Sequence, residues 1–141
     1  MTTIIGILLL LLFTTLSALH FYWGFGGKWG VAPTLPQKED GKLLLNPTSF
    51  HCFVVAVGLM AFGLLAGIQG GIIQFELPQL LSSYGLWTVA LIFLARAVGD
   101  FRYIGFFKSV RSSTFGRMDT VLYSPLSFML GLLSGLLQLI S

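Results

Sequence analysis

The chain is short and poor in charged residues. It has 141 residues, of which eight are Lys or Arg and five are Asp or Glu, so 9% are charged, whereas a soluble domain carries roughly 25%. Hydrophobic residues make up 55% of the chain, and the mean hydropathy is +0.89. So few charges exclude a soluble domain, and so apolar a composition excludes a disordered chain. The single cysteine, Cys52, excludes an intrachain disulfide and a cysteine-based zinc knuckle.

Four stretches of the chain carry no charge and are long enough to cross a membrane, which takes about 20 mostly apolar residues in a helix. These stretches are residues 1–27, 43–75, 77–95 and 120–141. The first one lacks the basic start and the small-residue cleavage site of a signal peptide, so we expect it to be a helix of the mature protein. The predicted helices are residues 3–23, 48–73, 78–105 and 119–140. No repeat or low-complexity linker divides them, so the sequence predicts an all-α bundle of four transmembrane helices in a single domain, residues 1–141.

Residues that favour helix starts agree with these bounds. Pro47 and Pro78 lie where the second and third helices begin, and a proline there loses no hydrogen bond. Asp119 and Thr120 are side chains that can cap the fourth helix. Pro125 falls in its first turns.

The basic residues indicate the orientation in the membrane. All eight lie in two segments, residues 28–42 and 96–117, and both segments follow an odd-numbered helix. Basic loops stay on the cytoplasmic side, so both termini are expected to be extracytoplasmic, in a bacterial cytoplasmic (inner) membrane. This asymmetry also explains the sequence pI of about 9.3. A nucleic-acid partner is therefore not expected, whereas membrane lipids are expected partners.

Small residues recur at every fourth position on two helices. They are Gly63, Gly67 and Gly71 on the second helix and Ser127, Gly131 and Gly135 on the fourth. Small residues at this spacing let two helix backbones approach closely. They predict either packing within one chain or a homodimer through one of the two stripes.

Polar side chains gather near the predicted cytoplasmic ends of all four helices. The candidates for ligand binding are His20, Tyr22, Trp23, Arg96, Asp100, Arg102, Lys108, Asp119 and Tyr123. Ionisable groups at membrane depth usually face the interior of a bundle. We therefore expect a polar pocket that opens to the cytoplasm, with the glycine-rich segment from Gly24 to Pro36 as its lid.

Several of these residues have a simpler structural role as an alternative. Arg96 and Asp100 are four residues apart and share a helix face, which predicts either an ion pair or an anion clamp oriented by Asp100. Tyr22 and Trp23 could stack on a ligand or belong to an interfacial aromatic belt. The sharpest form of the hypothesis places His20, Tyr22, Arg96, Asp100 and Tyr123 around one cavity.

The two histidines raise the possibility of a cofactor. His20 and His51 are expected at similar depth, and four-helix bundles can hold haem between histidines. A metal site formed with Asp100 would still lack a good third or fourth ligand. Cys52 adjoins His51, but neighbouring residues on a helix point about 100° apart, so this pair is a poor nucleophile and base. The sequence therefore predicts no cofactor and no metal.

Two blocks of the sequence resemble a family of small bacterial four-helix membrane proteins of unknown function. The first is His20-Phe-Tyr-Trp with Gly26-Gly-Lys-Trp-Gly30. The second runs from Arg96-Ala-Val-Gly-Asp-Phe-Arg-Tyr-Ile-Gly-Phe-Phe to Lys108, and Asp119-Thr-Val-Leu-Tyr-Ser-Pro follows it. The resemblance implies a four-helix fold and residues that act together, but no reaction. It also implies a small residue where His51 and Cys52 stand, which argues against a site shared by the two histidines.

Three classes of function are compatible with the sequence. The first is binding of an anionic or amphipathic small ligand, such as a lipid headgroup or a quinone, at the cytoplasmic ends of the helices. The second is a membrane-embedded enzyme with His20 as general base, oriented by Asp100 or Asp119. The third is an accessory subunit of a membrane complex. No convincing nucleophile or set of metal ligands is present, which favours binding.

Overall fold

The computed structural model describes residues 1–141, and about two thirds of the chain is helical. The helices are α1 (Thr2–Gly24), α2 (Ser49–Gln69), α3 (Gln79–Val98), α4 (Thr114–Met118) and α5 (Ser124–Ile140). A π-helical turn, Asp119–Tyr123, joins α4 to α5, so Thr114–Ile140 forms one continuous span. Four helical stretches are thus long and apolar enough to cross a membrane. The prediction of an all-α bundle of four transmembrane helices is confirmed.

The helices pack as two pairs, α1 with α2 and α3 with α5. Phe13 of α1 lies at the centre of the core and is fully buried. Its ring centroid is 5.9 Å from that of Phe62 on α2 and 5.4 Å from that of Phe93 on α3. These rings join the two pairs in mid-membrane.

The small-residue stripes contact neighbouring helices of the same chain. A Cβ added to Gly63 would lie 3.1 Å from the Cβ of Phe13 on α1. A Cβ added to Gly131 would lie 2.7 Å from the side chain of Leu94 on α3. Packing within one chain therefore accounts for these two glycines, and a homodimer through either stripe stays a prediction.

Two predicted helix bounds were wrong at the end of the bundle that carries the basic loops. α3 ends at Val98 and not at residue 105, because Gly99 adopts φ +85° and the chain turns away. The fourth span begins at Thr114 and not at residue 119, and its cap is Ser113, whose hydroxyl accepts a hydrogen bond from the Gly116 amide at 2.9 Å. Asp119 is therefore inside the helical span and does not cap it.

Candidate functional site

A cavity of about 570 Å³ lies between the two helix pairs, at the end of the bundle that carries the basic loops. α1 contributes Leu16, Leu19, His20 and Trp23, and α3 contributes Phe93 and Arg96. The remaining lining residues are Trp29, Gly30, Pro33, Thr34, Phe115, Met118, Leu122, Tyr123, Leu126, Ser127 and Leu130. A volume of this size is in the usual range for small-molecule sites.

The cavity has a polar end and an apolar end. On α1, Trp23 lies seven residues beyond Leu16, which is about 10 Å along the helix axis at 1.5 Å per residue. On the fourth span, Tyr123 and Leu130 are also seven residues apart, with Tyr123 nearer the loops. His20, Arg96 and Tyr123 thus lie towards the loops, and Leu16, Leu126 and Leu130 reach towards the middle of the bundle.

Behind the cavity, Asp119 is the centre of a buried hydrogen-bonded cluster. Its side chain is fully buried and accepts four hydrogen bonds. Oδ1 accepts from Nη2 of Arg96 at 2.6 Å, and Oδ2 accepts from Nζ of Lys108 at 3.0 Å. Oδ2 also accepts from the Gly105 amide at 2.9 Å and from the Ser124 hydroxyl at 3.0 Å. The carboxylate is therefore fully engaged by protein donors.

Lys108 is as deeply buried as Asp119, with 1% of its surface exposed. Besides Asp119, its Nζ donates to the carbonyl oxygen of Gly105 at 3.0 Å and to the Thr120 hydroxyl at 2.7 Å. An ammonium group has three protons, and all three are used. Lys108 therefore has no donor left for a ligand, and it does not line the cavity.

Arg96 is the one member of this cluster that reaches the cavity. Its Nη2 is bound to Asp119, whereas its Nη1 is buried and has no hydrogen-bond partner. A buried donor without a partner is unfavourable by about 1–3 kcal/mol, and by more when it belongs to a charged group. An acceptor supplied from outside the chain would remove this cost.

The predicted ion pair between Arg96 and Asp100 was wrong. Asp100 follows the end of α3, and its Oδ1 accepts from the backbone amides of Arg102, Tyr103 and Ile104 at 3.0, 2.7 and 2.9 Å. Partial burial acts to raise the pKa of the Asp100 carboxyl, but these backbone hydrogen bonds outweigh it and hold the pKa below its ordinary value. Asp100 thus stabilises the loop and does not orient Arg96.

His20 lies at the cavity wall, but neither candidate aspartate contacts it. Its Nδ1 is 2.8 Å from the carbonyl oxygen of Leu16, which requires the proton on Nδ1 and leaves Nε2 as an acceptor in the neutral ring. The expectation that Asp100 or Asp119 orients His20 was therefore wrong, since both carboxylates are engaged elsewhere.

A second, smaller cavity of about 190 Å³ adjoins His20 and is also lined by Trp23, His51 and Cys52. Nδ1 of His51 is already used in capping α2, 2.8 Å from the Thr48 hydroxyl. No three His, Cys, Asp or Glu side chains are grouped in a way that could hold a metal ion. This cavity therefore offers at most two histidine nitrogens and a thiol.

The segment between α1 and α2 lies against the large cavity through Trp29, Gly30, Pro33 and Thr34. Nε1 of Trp23 donates to the carbonyl oxygen of Trp29 at 2.8 Å. Tyr22 lies outside the cavity, where its ring packs on Gly27 and its hydroxyl accepts from the Trp29 amide at 3.4 Å. The end of α1 thus holds this segment against the cavity, and its role as a lid stays a prediction.

The structure separates the candidate residues into three groups. Four line the large cavity: His20, Trp23, Arg96 and Tyr123. Two form the buried cluster behind Arg96: Lys108 and Asp119. Three lie outside both: Tyr22, Asp100 and Arg102, whose guanidinium stacks at 5.2 Å over the Tyr103 ring.

Sequence reasoning missed Gly105, Thr120 and Ser124 as members of the buried cluster. Ser124 lies five residues after Asp119, and five residues of an α-helix rotate by about 140° beyond a full turn, so the two should not meet. The π-helical turn brings residues i and i+5 into line, and the Ser124 hydroxyl then reaches Asp119. The sequence carries no reliable signal for this turn.

A family model matches residues 13–134, which include the whole cavity lining and the buried cluster. The chain belongs to the DUF3995 family. DUF3995 is described as a protein family of unknown function, so membership adds no activity. No curated protein and no solved structure matches this DUF3995 chain.

Proposed function

We propose that this multi-pass membrane protein binds an amphipathic small ligand in the large cavity. The head of the ligand accepts a hydrogen bond from Arg96, and its apolar part lies along the leucines towards the middle of the bundle. A lipid headgroup and a quinone both have this character.

The observation that carries the proposal is the free Nη1 of Arg96. Among the buried side-chain nitrogen and oxygen atoms of the Asp119 cluster, this one alone has no partner within the chain. Since buried polar groups in folded proteins are nearly always satisfied by protein or by water, this donor is expected to find an acceptor outside the chain, and a ligand head in the cavity can supply it.

The walls of the cavity support an amphipathic ligand. Most lining side chains are hydrophobic, and the polar ones other than Ser127 lie at the loop end. Trp23, Trp29 and Tyr123 are aromatic groups with a polar atom, which suit the boundary between a head and a tail. A purely polar metabolite would leave the apolar end of the cavity empty.

We propose that the site lies at the cytoplasmic face of a bacterial inner membrane. All eight basic residues lie in the segments 28–42 and 96–117, at the same end of the bundle as the cavity. The positive-inside rule puts this end in the cytoplasm. A ligand could therefore enter from the inner leaflet or from the cytoplasm.

Native mass spectrometry of the protein purified in a mild detergent tests the proposal. We expect a retained lipid or quinone in the wild-type protein and its loss in Arg96→Gln. Arg117→Gln is the matched control, because Arg117 is exposed on α4 and does not line the cavity. It should keep the ligand.

Three other outcomes would contradict the proposal. Ligand retention that is the same in wild type, Arg96→Gln and Arg117→Gln would show that lipid binds elsewhere. A retained metal or haem would favour an enzyme, and a retained unrelated subunit would favour an accessory role.

A further inference from the structure

We infer that the head of the ligand is an anion, and that Lys108 sets this preference without touching the ligand. The inference rests on the proposed function, because it assigns the charge of the ligand in the same cavity. It follows from the balance of charge in the buried cluster.

The cluster contains two cations and one carboxylate. Lys108 and Asp119 are both buried, whereas the Arg96 side chain is 29% exposed, and both Lys108 and Arg96 are bound to the same carboxylate. Asp119 can neutralise only one of them, so the cluster carries one excess positive charge. An excess charge beside a mostly apolar cavity is poorly hydrated, so a counter-ion bound there is favourable.

Nothing in the cavity wall supplies the missing negative charge. Arg96 is the only charged residue among the lining side chains, since no Asp or Glu lines the cavity. The other ionisable groups are His20 and Tyr123. A histidine cannot carry a negative charge, and the phenol of a tyrosine is ordinarily neutral near pH 7. The counter-ion must therefore come from outside the chain.

The charge balance of the cluster distinguishes between a lipid headgroup and a quinone, either of which could accept a hydrogen bond from the free Nη1. A quinone oxygen can accept the hydrogen bond from Arg96 but leaves the excess charge in place. An oxyanion accepts the hydrogen bond and neutralises the cluster, and charge-assisted hydrogen bonds are roughly twice as strong as neutral ones. The ligand class is therefore a singly charged carboxylate or phosphodiester on an apolar tail.

Lys108 is the specificity-determining residue in this account. All three of its protons are used inside the chain, so it acts only through its charge. Without that charge, Arg96 and Asp119 would form a neutral pair with the free Nη1 still present. The site would then keep an amphipathic ligand but lose its preference for an anion.

Two probes that differ only in charge test the inference in the wild-type protein. Dibrominated stearate is an anion at mildly alkaline pH, and its methyl ester is neutral with the same tail. Bromine quenches tryptophan fluorescence on contact, and Trp23 and Trp29 both line the cavity. Trp87→Phe is used as the background, because Trp87 lies on α3 outside the cavity and is 40% exposed.

We expect saturable quenching by the acid and at least about tenfold weaker binding of the ester, since one buried charge interaction readily amounts to a factor of ten. If the ester binds as tightly as the acid, the inference is wrong and the proposed function stands. If neither probe gives saturable quenching, the proposed function itself fails.

Lys108→Met then tests the role assigned to Lys108. It should weaken binding of the acid about tenfold and leave binding of the ester unchanged. Lys38→Met is the matched control, because it removes one exposed positive charge from a residue that does not line the cavity and should change neither value. A Lys108→Met protein that still prefers the acid as strongly as the wild type would contradict the assignment.

Competition against the acid distinguishes two sources of the anion. Displacement by dioleoylphosphatidylglycerol but not by inorganic phosphate is the expected result and identifies a lipid-borne anion. Displacement by inorganic phosphate alone would overturn the requirement for an apolar tail and point to a soluble anion.

Discussion

At the scale of single residues, Asp119 determines whether the cluster can exist. It is the only acceptor that Arg96 and Lys108 share, and it also binds the Gly105 amide. Asp119→Ala leaves two cations without a counter-ion, and removing one partner of a buried pair typically destabilises a protein by about 3–5 kcal/mol. We expect a large loss of thermal stability in detergent, followed by circular dichroism.

Lys108→Met should be milder than Asp119→Ala, because it leaves Arg96 and Asp119 as a paired unit. Asp40→Ala is the surface control, since Asp40 contacts only Lys42, through an exposed ion pair at 3.6 Å and a hydrogen bond from the Lys42 amide at 3.1 Å. Exposed pairs contribute about 0–1 kcal/mol, so this change should be nearly silent. Equal stability of Asp119→Ala and Asp40→Ala would show that the cluster is not formed.

Asp100 predicts a pH dependence of the loop after α3. Its pKa is below the ordinary value of 3.8 in the folded protein, so the carboxylate stabilises the loop at every pH above that value. The stabilisation is lost as the pH falls from 3.8 through the folded-state pKa. The amide resonances of Arg102, Tyr103 and Ile104 should shift together over this window in a nitrogen-15 NMR titration.

The matched variant is Asp100→Asn, which keeps an acceptor oxygen in the same place but cannot titrate. The loop of this variant should stay folded, and the acid transition of the three amides should disappear. A transition that persists in Asp100→Asn would have to come from another group.

At the scale of elements, the turn that ends α3 requires glycine at two positions. Gly99 has φ +85° and Gly105 has φ +93°, which side chains rarely adopt. A Cβ on Gly99 would also collide with the carbonyl oxygen of Ile104, and one on Gly105 with that of Val98. The two backbones thus touch, and this contact places Gly105 beside Asp119.

Gly99→Ala and Gly105→Ala should therefore each lower the thermal stability and weaken ligand binding. Strain of this kind amounts to about 1–3 kcal/mol before any clash is counted. Gly58→Ala is the control, because Gly58 is in α2 with open space around it and alanine is the better helix former. Tolerance of all three substitutions would mean that the turn is not as tight as described.

At the scale of the whole molecule, the distribution of basic residues predicts the orientation. All eight lie at one end of the bundle, so both termini should be outside the cytoplasm. A C-terminal alkaline phosphatase fusion at Ser141 should be active and a green fluorescent protein fusion dark. The reverse result would place the cavity at the outer face of the membrane.

The sequence by itself determined the fold class and the region of the site. Four uncharged stretches can satisfy their backbone groups in a bilayer only as helices, so composition and length were enough. The same reasoning located the polar residues at the helix ends, because polar side chains are unfavourable in the hydrocarbon core of a bilayer. His20, Arg96 and Tyr123 were placed at one level by counting residues, and they line one cavity.

Only the tertiary structure decided which of these residues are partners. Spacing on α3 favoured Asp100 as the partner of Arg96, but a positive-φ glycine ends the helix between them and turns Asp100 towards the loop. A π-helical turn then brings Asp119 and Ser124 together, which regular α-helical geometry would keep apart. Residue spacing predicts which side chains meet only where the helix is regular. At this site α3 ends early and the fourth span contains a π-helical turn, so neither helix is regular. The charge balance of the cluster depends on these departures, so no reading of the sequence alone could supply it.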